Sequence, residues 1–252
     1  MWTLNGRKAV ITGGTKGIGR ATVIEFLELG AEVLFTARNA EDVKKFQEEL
    51  RDLKLPATGI VSDCSLKQSQ ETLSLWIKEN WGTVDVLVNN AGINIRKRAQ
   101  NYSEEEYRKV LEVNLVSPFE LSRRLYSFLK NSGKAAIINV ASSAATQDVG
   151  TGTPYAMSKA GLLQQTRSLA VEWAMDGIRV NAVSPWFTET PLTRGYLEQK
   201  EKIDPIVNRT PLKRVAQAKE ISSIIAFLAM AKSSYITGQN IVADGGMSIN
   251  AI

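Results

Sequence analysis

The chain has 252 residues, no histidine, a single cysteine and a formal net charge of +5. One cysteine precludes an intrachain disulfide, and the lack of histidine removes imidazole bases and the usual zinc ligand sets, so no metal site is expected. No apolar run approaches the roughly 20 residues that cross a bilayer, the start lacks a signal peptide's apolar stretch, and the basic residues are interspersed with acids, so a soluble cytoplasmic protein without membrane or nucleic-acid partners is expected.

Short runs rich in β-branched residues alternate with amphipathic stretches along the chain. Strands are expected at residues 9–12, 32–36, 58–62, 84–89, 135–141, 180–184 and 240–244, and helices at 19–29, 40–53, 66–80, 103–130, 155–175 and 218–229. Ser103 with Glu106 three residues on forms a capping box, and Gly30 is placed to end the first helix. This alternation predicts one α/β domain over residues 1–252, a Rossmann-type doubly wound parallel sheet with helices on both faces. The weakest stretch, 188–213, carries Pro191, Pro205 and Pro211 without a clean period and reads as an irregular substrate lid. Arg96-Lys97-Arg98, followed by Glu104-Glu105-Glu106, reads as solvated surface near a pocket.

Thr12-Gly13-Gly14-Thr15-Lys16-Gly17-Ile18-Gly19 follows the first strand and opens the first helix. Glycines there let the backbone approach a pyrophosphate, and the helix N-terminus offers unpaired amides and a positive dipole. Cofactor choice depends on the end of the second strand, where an acid binds the ribose hydroxyls of NAD. The chain has Thr36-Ala37-Arg38 instead, and Arg38, helped by Lys16, suits the ribose phosphate of NADPH. The competing reading of Arg38 is an exposed residue that starts a loop.

Tyr155 and Lys159 lie four apart on a predicted helix and share one face. A tyrosine with a free pKa near ~10 needs its phenolate stabilised to exchange protons near neutrality, and an ammonium one turn away supplies that. Ser142 ends the fifth strand at the carboxyl edge of the sheet, where its hydroxyl reaches a substrate oxygen beside Tyr155; the adjacent Ser143 keeps this assignment open. Pro118 has no amide proton for the carbonyl of Asn114, so a kink is expected there, freeing that carbonyl for a water that links Lys159 to solvent. Ala144, Ala145, Val149, Trp186, Leu192, Tyr196 and Leu197 are candidates for a mostly apolar substrate wall; Trp186 equally suits core packing.

The loop at 12–19, Asp63, Asn89-Asn90-Ala91-Gly92, Asn114, Ser142, Tyr155-x-x-x-Lys159, Arg179-Val180-Asn181 and Asp244-Gly245-Gly246 together resemble the short-chain dehydrogenase/reductase family over nearly the whole chain. Asn90-Ala91-Gly92-Ile93, Glu172-Trp173-Ala174 and Ser184-Pro185-Trp186 are most similar to its tropinone reductase-like members. The resemblance implies a catalytic tetrad of Asn114, Ser142, Tyr155 and Lys159 in an NADPH-dependent reductase of a small carbonyl substrate. It implies cofactor contacts from Gly13, Thr15, Lys16, Gly17, Ile18, Gly19 and Arg38, and from Cys64, Ala91, Gly92, Tyr155, Lys159 and Pro185. Asp63 would accept from the adenine amino group and Asn90 would face the adenosine ribose, although both also suit plain turns. Thr188 through its backbone and Thr190 through its hydroxyl would hold the carboxamide. The family usually has Pro-Gly where this chain has Pro185-Trp186, which changes the pocket. A homotetramer, or else a dimer, is implied, with the helices from Ser103 and Tyr155 at one interface. Two other functions fit the same fold: a 3-oxoacyl thioester reductase whose residues 96–98 meet an acidic carrier protein, and an NADP-binding sensor without turnover.

Overall fold

The computed structural model describes residues 2–150 and 152–250. Its strands are β1 (Lys8–Thr12), β2 (Glu32–Ala37), β3 (Thr58–Val61), β4 (Val86–Asn89), β5 (Ala135–Val140), β6 (Ile178–Pro185), β7 (Thr188–Glu189), β8 (Ala216–Gln217) and β9 (Asn240–Ala243). Seven of them form one parallel sheet in the order β3-β2-β1-β4-β5-β6-β9, while β7 and β8 pair separately. The helices are α1 (Gly17–Glu28), α2 (Ala40–Asp52), α3 (Lys67–Asn80), α4 (Glu104–Leu111), α5 (Ser117–Ser132), α6 (Thr153–Glu172), α7 (Pro191–Leu197), α8 (Lys200–Arg209) and α9 (Ala218–Ala229).

The period-2 alternation of side chains sorts each central strand between two cores. In β1, Ala9 and Ile11 pack with Phe26 of α1, Phe46 of α2 and Ile225 of α9. Val10 points the other way, towards Leu73 of α3, Leu125 of α5 and Leu169 of α6. A sheet covered on both faces needs apolar residues at successive positions, which is why the strands are near-continuous apolar runs. All seven expected strands occur within two residues of their expected ends.

Two expectations are corrected. The helix at 103–130 is interrupted: α4 passes into a π-helical turn, Glu112–Val116, before α5. Pro118, at the second position of α5, offers no amide to the Asn114 carbonyl, and the chain takes up the mismatch by adding a residue to the turn rather than through the simple kink expected. Ser117 closes the wide turn, its backbone N–H and its hydroxyl both donating to Glu112 O. Gln165 of α6 enters the opened ladder, its amide donating to Leu115 O (3.3 Å) and accepting from Phe119 N (3.1 Å) in the orientation that satisfies both.

The stretch 188–213 is not irregular. It folds as β7, α7 and α8, helices of seven and ten residues that are too short to display a clear period. Its prolines punctuate these elements: Pro191 takes the first position of α7, where no amide is needed, and Pro211 follows α8. Pro205 lies inside α8.

The middle of the sheet is tied to α5 and α6 by a buried polar network. Asn89 Nδ2 donates to Asn139 Oδ1 (2.8 Å) and to Ser122 Oγ (3.3 Å), Asn139 Nδ2 donates to Thr166 Oγ1 (2.9 Å), and Ser122 Oγ donates to Pro118 O (2.7 Å). Asn139→Ala removes two buried hydrogen bonds, leaving Asn89 Nδ2 with Ser122 Oγ alone and Thr166 Oγ1 with its bond to Leu162 O but without its donor, so a loss of about 2–4 kcal/mol in unfolding free energy is expected by urea denaturation. A loss within experimental error would show that the network adds nothing to stability.

Candidate active site

The strand order reverses between β1 and β4, and at such a switch point the loops leaving the two strands diverge and open a crevice at the carboxyl edge. A cleft of about 790 Å³ lies there. Its floor is the glycine loop, held to the start of the β4 loop by Thr12 and Asn90. Thr12 Oγ1 accepts from the backbone N–H of Asn90 and Ala91 (3.0 Å each), and Asn90 Nδ2 donates to Thr12 O (2.9 Å) and Gly13 O (3.1 Å). The approach is close enough to require glycine: a Cβ on Gly19 would fall 2.2 Å from Gly13 O, and one on Gly13, whose φ is +66°, would meet Ala91 Cα at 3.0 Å.

Helix α1 starts from this loop with Lys16 at its N-cap and no side-chain cap, so the first amides face the cleft without a side-chain acceptor. Gly13, Thr15, Lys16, Gly17 and Ile18 line the space, and a pyrophosphate fits both the cradle and the dipole. Arg38 follows β2 at the same end, exposed and without an ion pair among the described residues. Lys16, which also lines the cleft, has its Nζ 2.6 Å from Asp42 Oδ2 on the first turn of α2, an exposed ion pair at the Arg38 end.

Asp63, Cys64, Ala91, Gly92, Pro185, Thr188 and Thr190 also line the cleft. Asp63 makes the alternative turn as well as facing the space, since its Oδ1 accepts from Ser65 N (3.0 Å) and Ser65 Oγ (2.6 Å). Asn90 reaches the cleft, and its Nδ2 braces the distant glycine loop instead of making a local turn. Burial pushes the Cys64 thiol up to about 11, which keeps it protonated. Thr190 packs on the glycine loop, where a Cβ on Gly17 would meet its Cγ2 at 3.0 Å, and its hydroxyl shares a hydrogen bond with Thr193 Oγ1 (3.1 Å).

At the inner end Ser142, Tyr155 and Lys159 converge. The choice between the serines is decided by where each points. Ser143 is buried and donates to Pro185 O (3.1 Å), whereas Ser142 lines the cleft and accepts from Ala144 N (3.1 Å). Lys159 is 4% exposed, its Nζ 2.8 Å from Val140 O and 5.7 Å from the centre of the Tyr155 ring. Burial pulls its ammonium down from 10.5 to about 8.

The tyrosine departs from expectation. Burial holds the Tyr155 phenol above its ordinary value of 10, outweighing the neighbouring Ser142 hydroxyl and the charge of Arg96, both of which lower it. The same burial weakens the neighbouring Lys159 ammonium, which is turned to the Val140 carbonyl. Asn114 is fully buried beside this pair and spans the loop after β4: its Oδ1 accepts from Ile93 N (2.8 Å), and its Nδ2 donates to Ile93 O (2.9 Å) and Ser158 Oγ (3.2 Å).

The expected substrate wall is only partly present. Trp186 and Leu192 line the cleft, joined by Ile93 from the loop after β4, Val113 from the wide turn before α5 and Pro191 at the start of α7, which sequence reasoning missed as wall residues. Ala144, Ala145, Val149, Tyr196 and Leu197 do not line it. The turn Ser143–Ala145 buries Ala144, Leu197 is buried under α7, and the Tyr196 ring stacks on Phe187. Trp186 fills both roles weighed for it, since its Nε1 donates to Thr210 Oγ1 (3.1 Å) while its ring reaches the cleft.

A family model described as enoyl-(acyl carrier protein) reductase matches residues 13–248. A tropinone reductase homolog of Arabidopsis thaliana is 42% identical over 250 residues, covering 99% of this chain and 95% of its own, and one of Datura stramonium is 38% identical over 253 residues, covering 99% and 94%. Among solved structures, a putative NAD(P)-dependent gluconate 5-dehydrogenase from Beutenbergia cavernae with bound NADP superposes with a TM-score of 0.94 at 34% identity, covering 99% of both chains. A gluconate 5-dehydrogenase from Burkholderia cenocepacia in complex with NADP and tartrate superposes with a TM-score of 0.94 at 29% identity, covering 99% of this chain and 98% of the other. With the switch-point cleft, the braced glycine loop and the Ser142, Tyr155 and Lys159 cluster, these likenesses settle its kinship: the chain belongs to the short-chain dehydrogenase/reductase family, among its tropinone reductase-like members.

Proposed function

We propose that this oxidoreductase reduces the carbonyl of a small ketone with NADPH, using Tyr155 as proton donor. The observation that carries the reading is the meeting of the Ser142 and Tyr155 hydroxyls on the inner cleft wall, one helical turn from a buried lysine. Bound NADPH supplies the hydride that attacks the carbonyl carbon. The residues of the chain do the rest. Ser142 holds the carbonyl oxygen, and Tyr155, whose raised pKa keeps it a neutral phenol near neutrality, donates a hydrogen bond and then its proton to the developing alkoxide. Lys159 binds the nicotinamide ribose and is the nearest group able to return a proton, while Asn114 fixes the loop after β4 against α6. A water on the Asn114 carbonyl, which Pro118 leaves without its helical donor, would carry that proton from solvent.

Arg38 is the group that favours NADPH over NADH, being a cation without an ion-pair partner among the described residues, at the end of β2 where no acid stands. The segment 188–213 acts as a lid, because α7 touches the glycine loop through Thr190 and contributes Leu192 and Thr193 to the cleft. Assembly into a homotetramer belongs to the same reading, and the exposed Val116, Phe119 and Met157, on or beside α5 and α6, suit the interface. No helix among the described residues is long and apolar enough to cross a membrane.

Tyr155→Phe removes the proton donor and leaves the ring in place, so kcat against a ketone panel should fall by about 10³ while NADPH binding persists. Activity within about tenfold of the parent would contradict the donor role. Arg38→Leu should raise KM for NADPH by roughly 10- to 100-fold, from the loss of a charge-assisted contact of about 1.5–3 kcal/mol, and leave KM for NADH nearly unchanged. Equal changes for the two cofactors would place the ribose phosphate elsewhere.

Lys159 also sets a pH dependence of stability. Its folded pKa of about 8 lies below its ordinary 10.5, so its stabilising contribution is complete above 10.5 and is lost as pH falls to about 8. The cofactor-free Lys159→Met variant should therefore be more stable than the parent at pH 7, by about 3 kcal/mol, with the gap closing towards pH 10.5. Thermal scans at the two pH values check this, and a constant difference would mean that the lysine is not destabilised by burial.

A further inference from the structure

Helix α6 carries Tyr155 and Lys159 and also grips the wide turn that holds Asn114. Ser158, Gly161 and Gln165 are three and four residues apart, so they form one row along the helix, and each meets a different part of that turn. Ser158 Oγ accepts from Asn114 Nδ2 (3.2 Å) and donates to Tyr155 O (2.7 Å), which links the turn to the backbone of the proton donor. Gly161 admits Leu115, since a Cβ there would fall 2.9 Å from Leu115 Cδ2. The Leu115 side chain is thereby seated on the cluster of Leu162, Leu163 and Ala182.

Gln165 differs from the other two because it replaces backbone hydrogen bonds instead of packing beside them. In a regular helix the Phe119 amide would donate to Leu115 O, four residues back, and the Asn114 carbonyl would accept from residue 118. Pro118 has no amide to give. The donor that a wide turn offers in its place, five residues on, is Phe119 N. Gln165 takes that donor: its side-chain oxygen accepts from Phe119 N (3.1 Å), while its nitrogen donates to Leu115 O (3.3 Å). A carboxamide suits the position because it presents an acceptor and a donor at one end. The two backbone amides that could close on the Asn114 carbonyl are therefore removed, one by a proline and the other by a glutamine.

We infer that Gln165 is a positioning residue for proton return: by capturing Phe119 N it holds the turn open and keeps the Asn114 carbonyl for the water that reprotonates Lys159. This rests on the carbonyl-reductase reading above and adds to it the group on α6 that maintains the solvent end of the proton path. Gln165 does not line the cleft, so its effect falls on the proton transfer and not on the binding of ketone or cofactor.

The test compares the parent with Gln165→Met, which offers neither an amide donor nor a strong acceptor, and with Gln165→Glu, which keeps an acceptor for Phe119 N. In ketone reduction at saturating NADPH, Gln165→Met should lose about tenfold in kcat with both KM values within about twofold of the parent, the pattern of an impaired proton transfer in an intact site. Imidazolium, added as a diffusible acid, should restore most of that loss, because it reaches Tyr155 through the cleft and bypasses the relay. Gln165→Glu should keep most of the parent rate. A parental kcat in Gln165→Met, a loss that imidazolium does not mend, or a Gln165→Glu variant as slow as Gln165→Met overturns the assignment. Crystal structures of the NADP complexes of the parent and Gln165→Met decide it without turnover. An ordered water on the Asn114 carbonyl in the parent, replaced in Gln165→Met by a backbone bond from Phe119 N, supports the role, whereas a parent carbonyl bonded to Phe119 N, or a water that persists in Gln165→Met, refutes it. A parent that binds NADPH but reduces no ketone overturns the reductase reading instead, and the same two structures then still decide whether Gln165 keeps the carbonyl open.

Discussion

The meeting of Thr12 and Gly13 with Asn90 and Ala91 is the constraint on which the rest of the site depends. Parallel strands β1 and β4 are neighbours in the sheet, yet their onward connections run to opposite faces, and only a direct tie between the two departing loops keeps the crevice in a fixed shape. The hydroxyl of Thr12 takes both backbone amides of the β4 loop, and the amide of Asn90 takes two carbonyls of the glycine loop. Gly13 and Gly19 then follow as necessities of close approach, not as a preference for flexibility, because any Cβ would collide with the tie itself. The N-terminus of α1 is thereby aimed at the cleft with its amides free for an anion.

A second consequence of burying the cleft floor is electrostatic. Desolvation acts in opposite directions on the two titratable groups of the inner wall, raising the phenol and lowering the ammonium. Each is pushed towards its neutral form, so the pair as it stands holds a proton on Tyr155 and has a Lys159 that gives one up readily near pH 8. In the proposed reaction, that is the state needed to protonate an alkoxide. The lysine is destabilised to reach it, which the well-packed sheet and the polar network around Asn89 and Asn139 can tolerate.

The lid side is built from aromatic packing more than from hydrogen bonds. Trp186 meets Phe187 edge-on at 4.8 Å, Phe187 stacks on Tyr196, and Tyr196 faces Arg96 across from α7. In this chain the tryptophan that replaces the family's glycine after Pro185 anchors that row through its hydrogen bond to Thr210. It therefore couples the end of β6, the lid and the loop that carries Arg96, three segments far apart in sequence.

The sequence by itself determined the sheet, the glycine loop and the Tyr155 and Lys159 spacing, because each is written in local patterns: β-branched runs, glycines at a strand-to-helix junction, and a four-residue helical step. It also placed Asn114 opposite Pro118, where a helical register conflict was visible, though not its resolution as a wide turn with Gln165 inserted. Short lid helices were missed because seven and ten residues broken by prolines carry too little period. What only the tertiary structure decided were relations between distant segments. Lys16 paired with Asp42, Tyr196 turned to Phe187 and Arg96 instead of the cleft, and Ser143 pointed to Pro185, leaving Ser142 to the site. Burial, which sets the two pKa directions, is likewise a property of the packed molecule, since desolvation depends on every chain segment that surrounds a side chain and not on its neighbours in sequence.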